Sequence, residues 1–160
     1  MRATKRCITC DLFQYTFAFH TASDICKECA SGIRKFKRGV HACIRNSVKY
    51  GMNSYVWNFL PYSSQELREY LESQFTPWMN WKNLGVYKKY QWDDSIPQTW
   101  VWQIDHIIPQ GAFLFTSLED DAFKWCWSLD NLRPLSAKEN SLKNRKLVLW
   151  NLKNGQKKLE

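Results

Sequence analysis

The 160-residue chain contains no apolar run approaching the roughly 18 residues that a membrane span requires, so no segment reads as a transmembrane helix. Residues Met1 to Cys7 are basic but lead into a cysteine pair and not into an apolar signal core. There is no internal repeat and no low-complexity tract. Acidic residues are scarce, 15 Asp and Glu against 23 Lys and Arg, for a net charge of +8. An excess of cations favours a polyanionic partner, nucleic acid before membrane, because it neutralises phosphate and releases counterions. Ordinary basic soluble proteins share that balance, so charge alone does not choose the partner. With 44% hydrophobic residues the chain is expected to fold, and its length suits one domain plus a small module.

The cysteines are clustered. Cys7-Ile8-Thr9-Cys10 and Cys26-Lys27-Glu28-Cys29 are two C-x-x-C knuckles separated by fifteen residues. Two residues between cysteines let both sulfurs of a knuckle face one ion, and four thiolates close a tetrahedral zinc site. The alternative, four ordinary buried thiols, does not account for two correctly spaced pairs. The reading is a structural Zn²⁺ site in a reducing, cytoplasmic compartment. Phe13, Tyr15, Phe17 and Phe19 alternate between the knuckles and suggest a short hairpin there. A closed four-sulfur site has no open position for catalysis, so such a module is a scaffold or a DNA-contact element.

Arg34, Lys35, Lys37 and Arg38 follow, interleaved with apolar residues at 33, 36, 40, 44 and 48, the spacing of one helical face. Such a helix either tracks phosphates or presents a solvated charged surface; beside a zinc module the first reading is preferred. His41 and Cys43 have no partner ligand at metal spacing and are expected to pack or sit exposed. Gly51, Asn53, Ser54 and Pro61 mark a loop, placing a zinc module with its basic helix at 1–50 and a second domain at 51–160. Ser63 and Glu66 form a capping box ahead of Leu67, Tyr70, Leu71 and Phe75. Between Trp78 and Trp102 aromatics are dense; packing is preferred there over stacking on bases.

The stretch with the most chemical content runs from Gln103 to Lys146. Residues 100–108 read as a strand stopped by Pro109, and they carry Asp105-His106. Asn131 to Leu135 reads as a return strand, and Ser136 with Glu139 makes a second capping box. A helix starting at Ala137 then places Asn140 near its first turn, with Lys143 on the same side.

This strand–strand–helix order, with Asp105-His106, Asn131 in Asn-Leu-Arg-Pro-Leu, and Asn140 followed by Lys143, resembles the HNH nuclease family. It is similar to the phage and homing subgroup whose third signature residue is Asn, and the likeness covers roughly residues 62–146. The resemblance implies an α+β fold, a ββα-metal core beside a zinc-ribbon or treble-clef-like module. It implies a DNA endonuclease that nicks one strand of a duplex in the cytoplasm, in phage-encoded members that of the host. His106 would be the general base and Asn131 would hold its ring. Asp105 and Asn140 would share one Mg²⁺ or Mn²⁺ with the scissile phosphate. Lys143, Arg145 and Lys146 would join Arg34, Lys35, Lys37 and Arg38 on the DNA backbone. The spacer from His106 to Asn131 is longer than in minimal members, and its Glu119-Asp120-Asp121 suggests a short inserted helix. The rival reading is a non-catalytic zinc-dependent DNA-binding or packaging accessory. Monomer and homodimer both remain open.

Overall fold

The computed structural model describes residues 3–20 and 23–143. The fold is mixed α/β with two small sheets, and the chain divides into two compact units, Met1–Val40 and His41–Glu160. The division falls inside a long helix, ten residues before the loop at which the sequence suggests a boundary.

In the first unit, β1 (Thr4–Arg6) pairs antiparallel with β2 (Phe13–Tyr15). The hairpin therefore spans the first knuckle instead of lying between the two. The reason is local. Asp11 N donates back to Cys7 O and Cys7 N donates to Leu12 O, so the Cys7–Cys10 turn itself reverses the chain. Asp11 takes φ 60°, a left-handed position that Asp tolerates better than most residues. The core here is Cys7, Phe19 and Cys26, with Cys10 and Cys29 packed against it. Helix α1 (Lys27–Tyr50) begins at the second knuckle, with Glu28 in its first turn and Lys49 in its last, both matched to the helix dipole. It ends at Gly51, whose φ of 69° supplies the left-handed cap and whose N–H returns to Ser47 O. Of the expected apolar stripe, Val40, Ile44 and Val48 are buried; Ile33 and Phe36 are half-buried.

In the second unit, α2 (Ser64–Glu72) carries the full capping box, with Ser63 accepting from Glu66 N and Glu66 accepting from Ser63 N. Its Leu67 and Leu71 are buried. Strand β3 (Trp102–His106) pairs antiparallel with β4 (Leu132–Ser136), with Asp105 opposite Arg133 and His106 opposite Leu132. The insert folds as α3 (Asp121–Cys126), which buries Phe123 and Cys126. Helix α4 starts at residue 137 and is described through residue 143. Much of the aromatic segment packs: Trp102 is fully buried between the edges of Phe75 and Trp81, and Trp92 stacks on Trp100. Among the described residues no helix is long and apolar enough to cross a membrane.

Candidate functional site

Two groups of side chains stand out, one in each unit. In the first unit the Sγ atoms of Cys7, Cys10, Cys26 and Cys29 all lie within 4.8 Å of one another. A tetrahedral site with ~2.3 Å metal–sulfur bonds has an edge of about 3.8 Å, so the group is sized for one ion. The knuckle turns aim backbone donors at the sulfurs: Cys26 N–H lies 3.3 Å from Cys7 Sγ and Cys29 N–H 3.5 Å from Cys26 Sγ. The Cys26 amide draws the Cys7 thiol down to about 6. Cys29 moves the other way, up to about 12, chiefly through its hydrogen bond with Cys26 and then through burial. Four sulfurs this close share protons when alone, whereas a bound cation lets all four ionise. The four-cysteine group can thus hold a structural metal such as zinc.

In the second unit, a cavity of about 280 Å³ is lined by Asp105, His106, Asn140 and Lys143, together with His41 and Gln110. Strand β3 delivers Asp105 and His106, and α4 delivers Asn140 and Lys143. Asp105 is 4% exposed, and both its oxygens lie 2.9 Å from Lys143 Nζ. Arg133 Nε, directly across the ladder, donates to the same carboxylate at 2.9 Å. Lys143 Nζ donates to His106 O as well, at 2.6 Å. Asn140 donates through its side-chain nitrogen to Gln103 Oε1 at 2.9 Å, which orients its amide.

The His106 ring stands edge-on to the Trp127 ring, with centroids 4.5 Å apart. Its Nε2 lies 3.3 Å from the Gln110 amide nitrogen. An amide nitrogen carries only donors, so this contact makes Nε2 the acceptor. Burial first, then the neighbouring His41 and Lys143, pushes His106 down to about 3, and the ring is neutral at physiological pH. Asn131 is buried, and its side-chain hydrogen bonds run to backbone groups. Its Oδ1 accepts from Ile108 N at 2.7 Å, its amide donates to Ile108 O and Cys126 O, and its carbonyl accepts from Ile107 N. Asn131 therefore pins the backbone that leaves His106 onto the end of α3.

Three neighbours of this cavity escaped the sequence reading. His41 comes from α1, with its ring 6.1 Å from His106 and 5.6 Å from Trp127. Burial lowers its pKa. The available signal was its place three and seven residues before Ile44 and Val48, on the apolar stripe of α1. Arg133 was legible only through strand register, and Gln110 not at all. Of the expected DNA contacts, Arg34, Lys35 and Arg38 are exposed on α1 and Lys37 is half-buried. Lys143 faces Asp105, and Arg145 and Lys146 lie outside the described residues.

No family model matches the chain, and no solved structure matches it. An uncharacterized protein of Acanthamoeba polyphaga mimivirus is 33% identical over 90 residues, covering 56% of this chain and 33% of that protein. The chain thus spans about a third of the length of this viral relative.

Proposed function

We propose that the protein is a metal-dependent DNA endonuclease of the HNH type that nicks one strand of a duplex. The observation that carries this reading is the convergence of Asp105, His106, Asn140 and Lys143 on one cavity, from a strand pair and the helix that follows it. The four-cysteine group in this reading holds Zn²⁺ as a scaffold.

Asp105 and Asn140 offer hard oxygens, the donor type that suits Mg²⁺ or Mn²⁺. The Lys143 ammonium bridging both Asp105 oxygens marks the position as one that attracts a cation. When bound, the ion would supply a Lewis acid for the departing oxygen. His106, neutral and with Nε2 as acceptor, takes the proton of the attacking water, and an anionic phosphate entering the cavity raises its basicity. Asn131 keeps the ring in place through residues 107 and 108. Lys143 releases Asp105 and turns to the phosphate. One such site cuts one strand at a time. The mimivirus relative is consistent with a virus-encoded enzyme acting inside the host cell.

One observation favours the second reading, a non-catalytic DNA-binding accessory: Asp105 is already satisfied by Lys143 and Arg133, as a purely structural carboxylate would be. A plasmid assay separates the two. Supercoiled DNA is incubated with wild type in Mg²⁺, with wild type in EDTA, and with His106→Ala in Mg²⁺. Open circles in the first lane alone are the expected result. A clean mobility shift on duplex DNA with no cleavage in Mg²⁺ or Mn²⁺ would leave the accessory reading standing.

A further inference from the structure

The first unit carries an exposed aromatic row that the metal group does not use. In the β1–β2 ladder, Thr4 stands opposite Tyr15 and Arg6 opposite Phe13, so these four side chains share one face of the hairpin. Lys5 and Gln14 point the other way, Lys5 over the Phe19 ring and Gln14 toward Cys10 Sγ. The inner face thus packs on the cysteine core, and the outer face is exposed. Phe13 is 72% exposed, Tyr15 50% and Phe17 66%. Tyr15 and Phe17 lie nearly parallel, 11° apart with centroids 5.5 Å apart, extending the row past the end of β2.

Cations close both ends. The Arg6 guanidinium, ion-paired with the exposed Asp11 at 2.6 Å, sits 6.0 Å from the Phe13 ring centre, and Lys27 Nζ donates to Phe17 O. Residues 1–40 hold eight Lys and Arg against three Asp and Glu. A row of flat rings flanked by Arg6 and Lys27, in a segment where cations outnumber anions, matches bases on a phosphate backbone. Successive bases stack on such rings regardless of sequence, while the cations hold the phosphates between them.

We infer that the outer face of the hairpin, Arg6, Phe13, Tyr15 and Phe17 with Lys27, is a binding site for the unpaired bases of single-stranded nucleic acid. The inference does not depend on the nuclease reading, because no cleavage enters its test.

The zinc-loaded full chain and a Phe13→Ser/Tyr15→Ser/Phe17→Ser variant are titrated with labelled dT15, rU15 and a 15-base-pair duplex at several salt concentrations. All three side chains are exposed, so the variant should keep its metal content and its amide-exchange protection. The expected result is a loss of about tenfold or more on the single strands, with duplex affinity changed by less than about threefold. The salt slope should hold in the triple variant and fall in Arg6→Gln and Lys27→Gln, which remove phosphate contacts. Unchanged single-strand affinity would overturn the proposal, and so would an equal loss on duplex. A concentration-dependent dimer that the triple variant abolishes would assign the row to a second copy of the chain instead. Preference between dT15 and rU15 tells DNA from RNA.

Discussion

The two units are held together by different means. The buried cluster of residues 1–40 is Cys7, Phe19 and Cys26, and two of these are cysteines of the four-sulfur group. So small a core does not by itself offset the chain entropy lost on ordering the residues around it, so a metal held by the four cysteines is expected to stabilise this unit. The second unit buries Trp102, Trp127, Phe115, Phe123, Leu67 and Leu132 almost completely, a core built from apolar side chains. Polar groups are used differently as well. In the first unit they surround the cysteines; in the second, Asp105, His106 and Asn131 are buried within an apolar frame, each tied to partners. A small unit with four clustered thiols offers coordination as its means of order, whereas a cavity lined by polar groups needs a packed frame that fixes several of them at once.

Metal removal gives the largest effect expected from this contrast. Chelation, or Cys26→Ser, should abolish amide-exchange protection in residues 3–40 while leaving protection of β3 and β4 intact. Loss of both together would show that the second unit depends on the metal. Next comes the packed frame. Phe123→Ala should destabilise the protein by about 3–5 kcal/mol in denaturant titration, with no change in metal content.

Asn131→Ala should cost about 1–3 kcal/mol, chiefly because it leaves the buried Cys126 O without its donor. It should also remove any cleavage, since the backbone after His106 loses its anchor. Retained cleavage would show that Asn131 is only structural.

A smaller effect concerns pH. The folded protein holds His106 at about 3 and lowers His41, while an unfolded histidine titrates near 6.5. Below pH 6.5 the unfolded chain therefore binds more protons than the native one. The stability contributed by these two rings is complete above that pH and falls as pH drops toward 3. His106→Asn should flatten the decline of Tm between pH 6.5 and 4, and an unaltered profile would refute the assignment. The smallest change is expected at a cap: Ser63→Ala should lower stability by about 1 kcal/mol and leave cavity and metal group untouched.

Local features were the readable ones. The knuckle spacing, the Ser63–Glu66 box, the strand carrying Asp105-His106 and the short helix after Asp120 each depend on neighbours within a few residues. The hairpin was misplaced because alternation in Phe13 to Phe19 looks the same whether its partner strand lies before or after it. Only the chain reversal at Cys7–Cys10 selects Thr4–Arg6. Arg133 and His41 could not be assigned to the cavity, since one depends on ladder register and the other on how a distant helix packs.

The sequence by itself determined which groups can do chemistry: four thiols in two pairs, one Asp-His dipeptide, and Asn131 and Asn140 at the starts of a strand and a helix. Tertiary structure decided what those groups meet. It placed Lys143 and Arg133 on Asp105, set His106 against Trp127 and His41, and left Phe13, Tyr15 and Phe17 in solvent. The physical reason is range. Caps, turns and knuckles are settled by covalent proximity, but burial and charge pairing join residues dozens of positions apart, and those contacts set how acidic, how reachable and how rigid each group becomes.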